Sequence, residues 1–263
     1  MDFWEIVVLA AIQGLTEFLP VSSSGHLVVA RVLFGISDAD GNAFDAFLHL
    51  GTLVAVLIYF RSIWWALACA LVIRNQDGEQ QRRLSVQLAV ATLPAALVGF
   101  MWREVFETYF RVPQAVALGF GLSAVALLVA DISFKHFKSV RDMTVYDALL
   151  VGVAQLIALV PGVSRSGMTI AAGLWRGLSR RDAATFSFLL SAPIIAAAGL
   201  SSFGLLLTNG AFSYRELVVG FTVSLVAGLF AIHGLLKLLE QTSFLPFVVY
   251  LLAVAGVVLY AGS

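Results

Sequence analysis

A polar break occurs twice in this chain, and neither copy fits inside an ordinary helix. Residues 13–26 read Gln-Gly-Leu-Thr-Glu-Phe-Leu-Pro-Val-Ser-Ser-Ser-Gly-His, and residues 161–169 read Pro-Gly-Val-Ser-Arg-Ser-Gly-Met-Thr. Proline removes a backbone donor, while serine and glycine favour caps and turns over helix interiors. Both breaks lie between runs apolar enough for a bilayer, where an unsatisfied backbone group costs several kcal/mol. A break of this kind survives where it lines a protein cavity or a site, so both copies call for a functional reason.

Composition names the solvent. Of the 263 residues 60% are hydrophobic and only 12% charged, against roughly 25% charged in soluble domains. The expectation is a single all-α integral membrane domain over 1–263, a polytopic helical bundle with no separable soluble part. A formal net charge of +0 excludes a globally basic nucleic-acid binder. The lone Cys69 excludes a disulfide within the chain and reads as a core or lipid-facing thiol. Met-Asp-Phe-Trp-Glu has no basic n-region, so the first apolar stretch is expected to stay in the mature protein.

Along the chain, Phe3 to Leu15 and Leu27 to Ile36 are each too short to cross, since about 20 residues are needed. Two half-length helices around a polar turn predict a re-entrant hairpin. Full spans are expected at 44–60, 84–101 (kinked at Pro94), 113–132, 183–207, 217–239 and 244–260. The stretch 62–73, with Trp64 and Trp65, reads as an interfacial helix, as does 102–111. The segments 37–42, 74–83, 134–143 and 179–182 read as loops.

Val163 stands 142 residues after Val21, and the same offset pairs Gln13 with Gln155, Ser22 with Ser164, Ser24 with Ser166 and Gly25 with Gly167. The register continues without a gap through Gly35/Gly177, Ser37/Ser179, Asp40/Asp182, Phe44/Phe186 and Leu48/Leu190. Such a run includes the rare polar positions and indicates an internal duplication, with repeats of about 1–133 and 145–263. Three crossings between the hairpins would place the second copy upside down. Arg61, Arg74, Arg82 and Arg83 would then share the cytoplasmic side with Lys135, Lys138, Arg141, Arg180 and Arg181, and the loop with Asp38 and Asp40 would face outward. Inverted repeats with broken helices are a common way to build a midplane site.

The residues at the breaks specify what that site binds. The serines sit where N-caps sit, ahead of half-helices beginning near Gly25 and Gly167, so free N–H groups and positive dipole ends would converge on an anion. Ser22, Ser23, Ser24, Ser164, Ser166 and Thr169 supply hydroxyls, though for Ser24 and Ser166 helix capping is the favoured role. Arg165 offers a bidentate fork suited to phosphate; its plainer reading is an ion pair with Glu17. Glu17 and His26 are acid–base candidates able to take a proton from Ser22 or Ser23. A carboxylate beside phosphate suggests an intervening divalent cation or a protonated Glu17. His49 reads as a packing or hydrogen-bonding residue, and His136 and His233 as interfacial. The spacing Gly173-x-x-x-Gly177 suits close helix contact and is the one sequence feature that admits a homodimer.

Gln13-x-x-x-Glu17, Pro20-Val-Ser-Ser-Ser-Gly-His26 and Pro161-Gly-Val-Ser-Arg-Ser-Gly-x-Thr169 resemble the signatures of the bacterial undecaprenyl-diphosphate phosphatases, the bacitracin-resistance proteins. The resemblance covers nearly the whole chain. It implies a multi-pass enzyme of the bacterial inner (plasma) membrane that hydrolyses the C55 isoprenoid diphosphate to the monophosphate carrier used in cell-wall synthesis. It also implies a site facing the exterior or periplasm, a need for Mg²⁺ or Ca²⁺, and a polyprenyl diphosphate and membrane lipids as partners. By the same resemblance Glu17 assists metal binding or catalysis, and Ser22 and Ser23 bind phosphate. Ser23 or a His26-activated group attacks, and Arg165, with Ser164, Ser166 and Thr169, clamps the diphosphate. The motif's first position takes Glu or Gln; this chain has Gln13, which points to a supporting role there. The competing class is a transporter or flippase of a lipid phosphate or another anion, which needs an anion clamp but no nucleophile.

Overall fold

The computed structural model describes residues 1–36, 41–73, 78–102, 105–106, 112–133, 138–209 and 212–261. Asp38 and Asp40 of the loop expected to face outward, together with Arg74, Lys135 and His136, lie outside the described residues, as does most of 102–111. Among the described residues the chain is all-helical: α1 (Phe3–Phe18), α2 (Ser23–Phe34), α3 (Gly41–Tyr59), α4 (Arg61–Val72), α5 (Glu79–Met101), α6 (Pro113–Ile132), α7 (Val145–Ile157), α8 (Arg165–Trp175), α9 (Arg180–Asn209), α10 (Tyr214–Leu238) and α11 (Leu245–Ala261). α5, α6 and α10 are each long and apolar enough to cross a membrane. α3 and α4 make a fourth candidate if the bent pair counts as one span. The chain is a multi-pass helical membrane protein.

Three helices begin inside segments that read as loops: α3 at Gly41 within 37–42, α9 at Arg180 within 179–182, and α5 within 74–83. α5 begins at Glu79, so the polar run 79–83 is its first turn rather than loop. α4 leaves α3 at an angle of 78°. Gly177 does not extend a helix face with Gly173, because it sits past the end of α8 with φ 87°. The Gly173-x-x-x-Gly177 spacing therefore makes a turn, and it carries no argument for a dimer.

Both breaks interrupt helices where expected. α1 and α2 have 16 and 12 residues, and α7 and α8 have 13 and 11, each short of the roughly 20 a crossing takes. α1 stops at Leu19, whose backbone is extended (φ −64°, ψ 143°), the conformation a following proline favours. α2 and α8 start two residues earlier than expected, at Ser23 and Arg165, which stand 142 residues apart. The caps are Ser22 and Ser164, not Ser24 and Ser166. Ser22 Oγ accepts the Gly25 N–H at 3.4 Å, and Ser164 Oγ accepts the Gly167 N–H at 3.0 Å. Such a cap is worth about 1 kcal/mol.

Lipid offers helices little hydrophobic reason to associate, so small residues decide where they approach. α1 lies on α10 where a Cβ on Gly14 would come within 2.5 Å of Ala227. α7 lies on α5 where a Cβ on Gly152 would come within 2.4 Å of the Ala91 carbonyl oxygen. α6 forms the floor beneath both breaks. A Cβ on its Gly119 would sit 2.5 Å from the Gly162 carbonyl carbon, its Phe120 fills the space beside Gly25, and its Ser123 Oγ accepts the Ser164 N–H at 2.8 Å.

Candidate active site

The two breaks meet. Ser22 Oγ donates to the Val163 carbonyl at 3.4 Å, and Ser166 Oγ donates to the Leu19 carbonyl at 2.8 Å. Each break thus satisfies a carbonyl that the other leaves without a helical partner, the condition for irregular backbone within a bilayer. The helix N-termini of α2 and α8 consequently lie against one another.

Glu17, in the last turn of α1, is the hub. Its Oε1 accepts from Arg165 Nη2 at 2.6 Å. Its Oε2 accepts from Ser23 Oγ at 2.7 Å and from Gln13 Nε2 at 2.9 Å, and lies 3.4 Å from His49 Nε2. A carboxylate only 7% exposed needs this many partners, because leaving it bare would cost several kcal/mol. The ion pair with Arg165 forms, as the plainer reading of Arg165 expected. The guanidinium also reaches the Ser187 carbonyl with Nη1 at 3.2 Å, so its plane is held by α9 as well as by Glu17.

The hydroxyls divide by exposure. Ser23 is half-buried and Ser24 exposed, and these two open outward from the elbow. Ser22, Ser164, Ser166 and Thr169 are buried. Thr169 Oγ1 donates to the Arg165 carbonyl at 2.9 Å and pairs with Ser187 Oγ at 2.7 Å, which makes it a brace for α8 on α9.

His26 stands apart from the Ser23–Glu17 pair. Its Nδ1 meets the Ser22 carbonyl at 2.8 Å, and its Nε2 meets Tyr250 Oη at 2.6 Å. Ser22 is the one non-glycine residue with positive φ (70°) among the described residues, strain of about 1–3 kcal/mol that the surroundings must hold. The imidazole bonded to its carbonyl is part of that hold. The hydroxyl nearest a base is therefore Ser23, and the nearest base is Glu17.

Two site residues escaped the sequence reading. His49 reads from sequence as a packing or hydrogen-bonding residue, and it does bond the Asp45 carbonyl. Its approach to Glu17 is what the sequence does not show, an ionisable residue inside an apolar span being the one signal that singles it out. Tyr250 carried no signal, since tyrosine is common at membrane interfaces. Arg31 and Asp45 form a further buried ion pair at 2.5 Å, which ties the end of α2 to α3 and so to His49, whose Nδ1 meets the Asp45 carbonyl at 2.7 Å.

The donor set suits a hard cation only with help from a ligand. Among the described residues no group of three or more His, Cys, Asp or Glu side chains gathers. Glu17 and Ser23 nonetheless present oxygens together, and the adjacent Gln13, whose Nε2 donates to Glu17, has a buried Oε1 with no hydrogen-bond partner. Mg²⁺ is commonly held in this way, by one or two carboxylates plus substrate phosphates.

Known proteins resemble the chain over nearly its whole length. The chain is 43% identical to an undecaprenyl-diphosphatase of Rubrobacter xylanophilus, over 98% of this chain and 97% of that one. It is 40% identical to an undecaprenyl-diphosphatase of Teredinibacter turnerae over 99% of both, and 42% identical to one of Nitrosococcus oceani over the full length of both. The family described as bacitracin resistance protein BacA matches residues 6–257. That match takes in both breaks and every helix from α2 to α10, and the chain belongs to the bacitracin resistance protein BacA family.

Proposed function

We propose that this protein hydrolyses undecaprenyl diphosphate to undecaprenyl phosphate and inorganic phosphate, returning the lipid carrier to cell-wall synthesis. The observation that carries the reading is the contiguous Ser23–Glu17–Arg165 set: a hydroxyl and a guanidinium, both within 2.7 Å of a carboxylate that already accepts a hydrogen from each. An anion carrier needs the guanidinium and has no use for the other two.

The chemistry follows from those positions. Ser23 Oγ attacks the terminal phosphorus as Glu17 takes its proton. The bridging P–O bond breaks on the opposite side, undecaprenyl phosphate leaves, and water then releases the phosphate from Ser23. Charge develops on the equatorial phosphoryl oxygens, where Arg165 and the abutting N-termini of α2 and α8 stabilise it. Once the diphosphate arrives, Arg165 has two anionic partners, which offsets the repulsion between Glu17 and phosphate. A Mg²⁺ or Ca²⁺ ion held by Glu17, with Gln13 in support, would supply further charge neutralisation when bound. Ser22 and Ser164 shape the elbow through their caps, and the exposed Ser24, its Oγ 3.4 Å from Ser22 Oγ, meets phosphate at the opening.

The same reading takes α1–α2 and α7–α8 as two re-entrant hairpins of inverted repeats, with the site opening to the periplasmic face of the inner membrane. Supporting it are the 142-residue spacing of the α2 and α8 starts, the half-length helices and the two breaks bonded to each other. The test is phosphate release from farnesyl diphosphate by the purified protein in detergent. Release that EDTA abolishes and Mg²⁺ or Ca²⁺ restores is expected. Binding of the diphosphate without release would turn the assignment to a carrier.

A further inference from the structure

We infer that Tyr250 is a positioning residue for the reaction, acting through His26; the inference rests on the phosphatase reading above. The two residues are 224 positions apart, on α11 and α2. Three observations converge on the imidazole between them. Its Nδ1 lies 2.8 Å from the Ser22 carbonyl oxygen. Its Nε2 lies 2.6 Å from Tyr250 Oη, and the two rings are nearly parallel, their planes 7° apart with centroids at 5.6 Å. Phe120 closes its other side with centroids at 5.2 Å.

The hydrogen bonds assign the tautomer. A carbonyl can only accept, so Nδ1 carries the hydrogen and donates it to Ser22. Nε2 of the neutral ring is then an acceptor, and the phenol O–H donates to it. The Ser22 carbonyl sets this tautomer, and the Tyr250 O–H reinforces it by donating to Nε2 and fixing the ring so that Nδ1–H grips the Ser22 carbonyl. That grip falls on the strained residue of the elbow, whose neighbour Ser23 must point its hydroxyl at Glu17. Loosening the imidazole lets the elbow relax, and Ser23 drifts from the in-line position. The terminal helix of the second half thus holds the nucleophile of the first.

The phenol is 44% exposed, so removing its hydroxyl leaves no buried hole. Tyr250→Phe keeps the ring against His26 and deletes only the donor. Turnover of farnesyl diphosphate should fall about tenfold while KM stays within about twofold, since placement of the reacting group suffers and ground-state binding does not. His26→Asn keeps an N–H toward Ser22 but cannot receive the phenol. In that background Tyr250→Phe should cost nothing more, the non-additivity expected of two residues in one chain of contacts. Protein labelled with ¹⁵N-histidine adds a readout that needs no activity: Tyr250→Phe should move one of the four histidines' Nε2 resonances, the one absent from His26→Asn. Wild-type turnover in Tyr250→Phe, multiplied losses in the double variant, or four unmoved resonances would each overturn the inference. An inactive wild-type enzyme whose Nε2 resonance still moves would instead count against the phosphatase reading alone.

Discussion

Arg165 Nη2 donates to Glu17 Oε1 at 2.6 Å across 148 residues of sequence, so the second break supplies the counter-ion for the acid of the first. Neither half of the chain holds a complete site. Glu17 and Ser23 without Arg165 would be a buried carboxylate with no cation suited to phosphate. Arg165 without Glu17 would be an intramembrane charge lacking its partner.

That pairing makes Arg165→Lys informative. Lysine keeps the charge and loses the planar fork, and it cannot reach Glu17 and the Ser187 carbonyl together as the guanidinium does. Phosphate release should drop at least tenfold, about 1.4 kcal/mol of barrier. Turnover close to wild type would remove Arg165 from the reaction and leave it a structural ion pair.

Ser22 and Ser23 are adjacent, and their substitutions should fail differently. Ser23→Ala removes the hydroxyl bonded to Glu17 and should lower turnover by about a thousandfold or more, as loss of a nucleophile does, with the melting temperature nearly unchanged. Ser22→Ala removes the α2 cap and the bond to Val163, so its main effect should be a loss of about 1–2 kcal/mol of stability. Equal turnover losses in the two variants would show that the attacking group lies elsewhere.

His49 meets Glu17 from α3, and its Nε2 can be mimicked. His49→Gln places an amide N–H near the same spot and should retain most activity. His49→Leu leaves Glu17 Oε2 with one partner fewer and should cost about tenfold in turnover, the scale of one lost hydrogen bond to a charged group. Similar kinetics for both variants would return His49 to packing.

Gln13 bears on the metal. Gln13→Glu adds a negative charge one turn before Glu17 and should lower the Mg²⁺ or Ca²⁺ concentration for half-maximal activity several-fold, because ligand charge tunes affinity for hard cations. Gln13→Leu should raise it. A cation dependence unaffected by either change would place the ion away from α1.

Much of this architecture is legible in the residues themselves. Pro20, Pro161 and the serine clusters forbid continuous helix, so the interruptions between α1 and α2 and between α7 and α8 follow from local chemistry. The caps come from the same signal, displaced by two residues to Ser22 and Ser164. Composition alone sets the membrane. The acid, hydroxyl and arginine of the site are conspicuous because polar groups are costly in lipid and each one needs a reason to be there.

Helix rotation was decided only in three dimensions. α6 and α11 are apolar around most of their circumference, so periodicity could not say which face turns inward. The polar stripe of Asp45, His49 and Thr52 on α3 gave a face but not its partner. Whether His49 met lipid, a neighbour or Glu17, and whether Tyr250 met headgroups or His26, depended on how helices distant in sequence packed. That Ser23 meets Glu17 rather than His26 was decided in the same way. Backbone chemistry is local and can be read residue by residue, whereas a side chain's partner is set by close packing among segments that share no neighbouring sequence.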